Sequence, residues 1–454
     1  MNHENYIKTL EATIIQLTTE RNQALERIQE LEIEIEKLHQ RLRFYENPHT
    51  PPSVEKLPTT KKVPSEDKAS SEAKKRGAPN GHRGATRTFR EPDEVIEVIA
   101  TTCEKCGSSN LERQNVEKTV IEDIPPPQKI KVTQYNRWHV KCRECEYEFT
   151  SKHRECPQVG NFGIFLLVYI TMLKFHLRGV LRKIQQFLSY NNDFEISVKG
   201  IHDVLLRVGA ACKEEYEVEL EKIRRAKWRY IDETGFKVNG KKWWLWIFRT
   251  NEGNILVVIR KSRGREVLEE ILGKAPNGAN VTDGWRAYEA IGVLQRCWAH
   301  LLREVDDFKE VSVNGKRLSQ ELHTLYKALK ATLEQDPSMN DRMTKKALFE
   351  QELEALVERY SRFKELEKPL TYIRNGFGSW YTCLLYPGME PTNNLGEQAM
   401  REHVIMRKII GCFRSENGAE NYQYIASLLA TWKLQNKNGF EELEHLLRKK
   451  LCLS

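Results

Sequence analysis

Two aspartates, Asp232 and Asp283, flank a run of β-prone segments between Lys227 and Tyr288, and the order of those segments limits the folds open to the chain. Asp232 follows Trp228-Arg229-Tyr230-Ile231, a short strand-like run. Asp283 follows Ala279-Asn280-Val281-Thr282 and precedes Gly284-Trp285-Arg286-Ala287-Tyr288. Between them come Trp243–Phe248, Ile255–Arg260 and a helical run from Arg265 to Leu272. Strand, strand, strand, helix, strand is an order that brings the first and fourth strands side by side, which turns both carboxylates toward one pocket. Grouped carboxylates repel one another, and a hard divalent cation with oxygen ligands is the usual remedy. Taken alone, two aspartates at strand ends fit turn formation equally well.

A third acid strengthens the metal reading. Glu397 lies in Thr392-Asn393-Asn394-Leu395-Gly396-Glu397-Gln398-Ala399-Met400-Arg401, where Thr392 or Asn393 can cap a helix. Helical spacing puts Arg401, Val404 and Lys408 along the face of Glu397, so that one carboxylate is followed by cations suited to phosphate. The sheet order and the three acids together predict an α/β core with a ribonuclease-H-like mixed sheet. A solvated face of a charged helix is the alternative for Glu397.

Several motifs, in order, resemble the transposases of the insertion-sequence sixty-six family. They are Tyr230-Ile231-Asp232-Glu233-Thr234, Thr282-Asp283-Gly284-Trp285-Arg286-Ala287-Tyr288, Arg296-Cys297-Trp298-Ala299-His300-Leu301-Leu302-Arg303 and Asn393-Asn394-Leu395-Gly396-Glu397-Gln398-Ala399-Met400-Arg401, with Arg407-Lys408 and Ser415-Glu416-Asn417-Gly418-Ala419 beyond. The resemblance runs along nearly the whole chain. It implies a DDE transposase with the triad Asp232, Asp283 and Glu397, working with Mg²⁺ or Mn²⁺ on DNA. Gln398 departs from the arginine usual after the family's glutamate, which weakens one expected phosphate contact.

The chain has 454 residues, 40% of them hydrophobic, and a formal net charge of +8, enough for several domains and suited to a polyanionic partner. The amino terminus has no signal-peptide pattern, and the apolar run Phe162 to Leu173 is too short for a bilayer, so the expected location is the cytoplasm, at the nucleoid, without a membrane partner.

Residues 1–46 read as a coiled coil, with Ile14, Ile28, Ile35 and Leu42 at one seam position and Leu10, Leu17, Leu31, Leu38 and Tyr45 at the other, which implies a dimer or higher oligomer. Arg21 and Ala24 interrupt the seam. Residues 47–92 read as a flexible basic linker, in which Arg83 and Arg87 are candidates for contact with a phosphate backbone or minor groove. Within 93–157, the pairs Cys103/Cys106 and Cys142/Cys145, separated by thirty-five intervening residues and flanking strand-like Lys129–Val132 and Trp138–Val140, predict a four-sulfur zinc ribbon. Residues 158–222 are helical; the third helix, Ser197 to Cys212, reads as the recognition helix of a helix-turn-helix presenting Lys199, His202 and Arg207 to DNA.

The core begins at 223–300, a charged helical insertion follows at 301–385, the third carboxylate and the end of the core occupy 386–435, and a final helix occupies 436–454. Phe308, Leu325, Leu329, Leu348, Leu356 and Phe363 are the expected core contacts of the insertion. His300 is expected beside the acidic cluster as a partner of phosphate or water, or as a packing residue, and Arg401 and Lys408 as phosphate contacts. Cys297 and His300, three apart, could form half of a metal site, with no second pair evident nearby. Two other functions fit the same residues: a non-catalytic dimeric DNA-binding regulator, and a nuclease or resolvase without strand transfer. Accessory proteins of the same element are further possible partners.

Overall fold

The computed structural model describes residues 91–112, 114–116, 118–121 and 126–452, together with residues 16, 17, 21, 28, 31 and 35. The chain divides into two compact units, Met1–Ile124 and Pro125–Ser454. Most of the coiled-coil segment, and the basic linker with Arg83 and Arg87, fall outside the described residues. Leu17, Ile28, Leu31 and Ile35 are helical and exposed. No described helix is long and apolar enough to cross a membrane.

The two cysteine pairs occupy turns of the same kind, one in each unit. The Gly107 N–H donates to the Cys103 carbonyl at 2.8 Å, with Gly107 at φ 71°. In the second unit the Glu146 N–H donates to the Cys142 carbonyl at 3.0 Å, with Glu146 at φ 62°. That second turn joins β1 (His139–Lys141) to β2 (Glu148–Thr150) in an antiparallel hairpin. Lys129–Val132 forms no strand, contrary to expectation; the Ile130 N–H is satisfied instead by the Asn192 carbonyl at 3.0 Å.

Three helices follow: α1 (Ile164–Phe175), α2 (Leu181–Asn192) and α3 (Val198–Arg225). Ser197 caps α3 by accepting the Gly200 N–H at 3.0 Å. This helix runs well past the expected Cys212, because its buried stripe continues through Tyr216, Glu219 and Ile223, and Lys222, Arg224 and Arg225 complement its carboxyl end. Its second half covers the sheet, where Tyr216 donates to the Val257 carbonyl at 3.2 Å and buried Glu219 accepts Asn254 Nδ2–H at 2.8 Å.

The sheet has five strands: β3 (Trp228–Val238), β4 (Lys241–Thr250), β5 (Ile255–Arg260), β6 (Ala279–Thr282) and β7 (Val293–Arg296), in the order β5-β4-β3-β6-β7. Strand β3 is antiparallel to β4 and parallel to β6, and β6 is parallel to β7. The first and fourth strands of the core are therefore neighbours, as their order in the sequence predicts. Asp232 does not end its strand, as expected, but lies within it: β3 continues to Val238 because Phe236 and Val238 add to a buried cluster with Leu245 and Ile247 of β4.

Apolar residues run without alternation through β4 and β5 because both faces of the sheet are covered. On one face Ile231, Trp246, Phe248, Leu256 and Val258 pack with α1–α3, α4 (Arg265–Leu272), α10 (Glu416–Leu434) and α11 (Gly439–Leu451). On the other, Leu245, Ile247, Val257 and Ile259 pack with Met400 and Met406 of α9 (Asn394–Ile410). The insertion between β7 and α9 contains α5 (Trp298–Asp306), α6 (Val313–Glu334), α7 (Met339–Tyr360) and α8 (Glu367–Arg374). Leu325, Leu329 and Leu356 are buried in its own core, with Phe308 and Phe363 packed against it. Leu348 is exposed, contrary to expectation.

Both edges of the sheet are sealed. At β5 the outward N–H groups of Ile255, Val257 and Ile259 donate to Thr431 Oγ1, Ser427 Oγ and Gln423 Oε1 of α10, at 2.9, 2.8 and 3.0 Å. At β7 the Arg296 N–H donates to the Ser379 carbonyl at 2.9 Å and Thr382 donates to the Leu294 carbonyl at 2.6 Å. Edge groups satisfied in this way cannot pair with another chain.

Ser427→Ala leaves the buried Val257 N–H without its acceptor, and a loss of about 1–3 kcal/mol is expected. Thermal or urea unfolding measures it; unchanged stability would mean that the seal at β5 carries no weight.

Candidate active site

Asp232 and Glu233 are neighbours in a strand, so their side chains project to opposite faces of the sheet. Asp232 shares a face with Tyr230 and points toward the α9 side. The β3–β6 register pairs Trp228 with Ala279, Arg229 with Asn280 and Tyr230 with Val281. Carried two residues further, the same register sets Asp232 beside Asp283. Asp283 leaves β6 in a tight turn, its Oδ1 accepting the Trp285 N–H at 2.8 Å. Gly284 gives Tyr372 of α8 room to approach: a Cβ at this position would lie 2.7 Å from the Tyr372 hydroxyl, and the ring would have to shift. The insertion thus delivers a side chain directly onto the Asp283 turn.

Glu397 sits in the first turn of α9, and four contacts fix that helix on the sheet. Asn393 occupies the N-cap position, yet its side chain does not cap the helix as the sequence suggests; Nδ2–H donates instead to the carbonyl of Ile231, the residue before Asp232, at 2.8 Å. Arg249 donates to the Leu395 carbonyl at 3.1 Å, and Arg407 donates to Thr234 Oγ1 at 2.8 Å and to the Gly235 carbonyl. His403, fully enclosed, pairs through Nδ1 with the Tyr422 hydroxyl at 2.8 Å.

Repulsion within the cluster is only partly offset. The protein packed around Asp232 strips it of water and, together with the charges of Glu233, Asp283 and Glu397, raises its carboxyl well above the ordinary range. Glu233, with its side chain only 2% exposed, is also raised, first by burial and then by Asp283. It differs from Asp232, whose Oδ1 accepts the Glu233 N–H at 3.0 Å, in being held by side chains: Arg263 lies 2.6 Å away and the Tyr288 hydroxyl donates to it. Arg263 in turn stacks its guanidinium over Trp285 at 4.1 Å and Trp244 at 4.9 Å. Glu233, Arg263 and Asn393 were absent from the sequence-based candidates. The adjacency Asp232-Glu233 inside one strand was the available signal, since alternation puts the second acid into the covered face.

His300 lies beside Glu397, with Nδ1 3.9 Å from Oε1. Arg401 and Lys408 are exposed on α9, and it is Arg407 that is turned into the sheet. Away from this cluster, Lys199 pairs with Asp203 at 2.5 Å, and the His202 Nδ1 is 3.8 Å from the same carboxylate. Arg207 is half-buried, its guanidinium against Gly160, and its Nη2 has no hydrogen-bond partner among the described residues. At the cysteine pairs, the amides of Cys106 and Lys105 lower the Cys103 thiol pKa, and those of Cys145 and Glu144 lower that of Cys142. Turn amides aimed at a sulfur favour the thiolate, which is the form that binds metal.

A family model described as Transposase IS66 family matches residues 160–421, more than half of the chain and all of the sheet, Asp232, the Asp283 turn and α9. A search of curated proteins found no match.

Two outcomes follow from the buried groups. A carboxyl with a raised pKa keeps its proton to a higher pH in the fold than in the unfolded chain, so ionising Asp232 costs stability as pH rises past the ordinary aspartate value of about 3.9. Asp232→Asn is expected to raise the Tm of metal-free protein at pH 7, with the gain vanishing below about pH 3.9. Burial drives the His403 pKa the other way, down from 6.5 to about 4. The folded state then resists the proton that the unfolded chain accepts, so stability present above pH 6.5 is lost as pH falls toward 4, by roughly 3 kcal/mol. Urea unfolding across that window measures the slope, and His403→Gln should flatten it.

Proposed function

The chain belongs to the IS66 family of transposases, and from that premise we propose that it is a DDE transposase with a ribonuclease-H-like core, cutting the ends of its element and joining them to target DNA. Asp232, Asp283 and Glu397 are its catalytic carboxylates. The observation that carries this reading is the strand register that sets Asp232 beside Asp283, with the charge of Glu397 acting on Asp232 from α9.

The family implies a divalent metal, and the residues fit one: the charges that weigh most on Asp232 are negative, and Glu397 Oε1 is shut off from solvent without a hydrogen-bond partner among the described residues. Asp232, Asp283 and Glu397 would hold Mg²⁺ or Mn²⁺. When bound, such ions lower the pKa of an attacking water or 3′-hydroxyl and stabilise the leaving oxygen. The protein's own part is placement. Asn393 ties the start of the Glu397 helix to the backbone beside Asp232, Gly284 lets Tyr372 close over the Asp283 turn, and the Glu233–Arg263 pair keeps the second acid on the covered face. Arg401 and Lys408, exposed on the Glu397 helix, are free to meet the phosphates of the bound strand.

The remaining elements serve recognition and assembly. The pairs Cys103/Cys106 and Cys142/Cys145 supply thiolates for structural Zn²⁺; Lys199, His202 and Arg207, with Arg83 and Arg87 of the linker, contact DNA; and residues 1–46 join copies of the chain. Because Asp203 already neutralises Lys199, DNA contact by that side chain requires the pair to open.

The test supplies element-end DNA, a target plasmid and Mg²⁺ to the purified protein. Joined product is expected. Cleavage without joining would instead indicate a nuclease, and binding alone a regulator. Asp232→Asn should lower cleavage at least about a hundredfold while end binding persists; wild-type cleavage in that variant removes Asp232 from the chemistry.

A further inference from the structure

The proposed chemistry leaves Cys297 and His300 without a role. Together with Glu397 they offer a sulfur, an imidazole nitrogen and a carboxylate oxygen within 4.8 Å of one another. Cys297 is the N-cap residue of α5, His300 lies in the first turn of that helix, and Glu397 lies in the first turn of α9. Two observations say more than proximity. His300 Nδ1 and Glu397 Oε1 are both closed to solvent and lack hydrogen-bond partners among the described residues, although they face each other at 3.9 Å. Polar atoms left in this state carry a desolvation cost that a cation between them would remove. The sulfur, for its part, is only 1% exposed as a residue and accepts the Asn393 N–H at 3.2 Å. Burial raises the Cys297 thiol, while the amides of Asn393, His300 and Ala299 oppose that rise. Such outer contacts orient and steady a metal-bound thiolate.

We propose that Cys297, His300 and Glu397 form a binding site for a zinc-class divalent cation. Donor chemistry selects the ion. A thiolate with an imidazole favours zinc, whereas Mg²⁺ prefers an octahedral shell of oxygens. Three protein ligands leave the fourth tetrahedral position to water, as in open zinc sites. Bonds of about 2.0–2.3 Å set the ligand atoms roughly 3.5 Å apart, so the cluster closes by about an ångström on binding, a movement that side-chain rotation supplies.

Glu397 is then shared between two metals of different character. This consequence rests on the reading of Glu397 as the third catalytic carboxylate: zinc held by Cys297 and His300 draws that carboxylate away from Asp232 and Asp283, and zinc opposes magnesium.

The experiment dialyses the full-length chain against Zn²⁺ and counts bound metal in the wild type, Cys297→Ser and His300→Gln. Each variant is expected to hold one zinc per chain fewer than the wild type, whatever the two Cys-x-x-Cys pairs hold. Co²⁺ substitution should show a matching loss of thiolate-to-cobalt absorption in Cys297→Ser. Equal metal content in all three proteins overturns the proposal. His300, partly exposed, is the substitution that spares the fold, so a deficit in His300→Gln supports the site even if Cys297→Ser is destabilised. In the Mg²⁺ cleavage assay, added Zn²⁺ should inhibit the wild type more than His300→Gln, and equal inhibition overturns the competition. Asp232→Asn separates the two readings, since it should lose cleavage and keep the full zinc count. Normal cleavage in Asp232→Asn fails the catalytic reading and leaves the zinc count to decide this site alone.

Discussion

The parallel pairing of β3 with β6 is the interaction on which the rest of the molecule depends. It joins segments separated by two strands and a helix, and its register decides which side chains become neighbours. A shift of one residue would turn Asp232 away from the α9 face and bring Glu233 into its place. That shift is blocked by packing: Ile231, Trp246 and Phe248 fill one face, Tyr230, Leu245 and Ile247 the other, and all six are buried. An acidic cluster with strong internal repulsion is held together by hydrophobic contacts on both sides of it.

The same division of labour governs the α9 helix. Its polar contacts with the sheet, made by Asn393, Arg249 and Arg407 to backbone carbonyls and the Thr234 hydroxyl, fix position without neutralising any carboxylate. The charge compensation available nearby, Arg263, goes to Glu233 on the opposite face. The fold therefore turns two acids that are adjacent in sequence to opposite faces of the sheet, and leaves Asp232 under the charges of Asp283 and Glu397 from distant parts of the chain. Sites that handle metal and phosphate commonly accept such a local loss of stability, with the surrounding core making up the difference.

Much of this was legible in the sequence. Strand order followed from the alternation of β-prone runs and one helix, and the neighbouring first and fourth strands followed from that order. The resemblance of the motifs around Asp232, Asp283 and Glu397 to one family agrees with the match over residues 160–421. Other features were not legible, for reasons that can be named. The full length of β3 was hidden because Glu233-Thr234-Gly235 interrupts its apolar pattern; ten paired residues of β4 override that local signal. The length of α3 was hidden because its second half is charged on the outside, and only the sheet reveals which stripe is covered. Asn393 looked like a helix cap, since no local rule announces that its amide reaches a carbonyl in another element. The meeting of Cys297 and His300 with Glu397 spans nearly a hundred residues of insertion, a distance over which spacing rules say nothing.

The seal along β5 ties two periodicities together. Gln423, Ser427 and Thr431 recur every four residues of a helix, a rise of about 6.0 Å, while the N–H groups they accept recur every two residues of a strand, about 6.6–6.8 Å. The two scales slide past each other like a vernier, drifting by roughly 0.7 Å per rung. The three rungs absorb that drift, at 2.9, 2.8 and 3.0 Å, and the next residue on the same stripe of α10, Ala419, carries no acceptor. Strand β5, six residues long, ends where the stripe of acceptors ends. Lengthening it beyond Arg260 would expose fresh edge that Ala419 has no acceptor to cover.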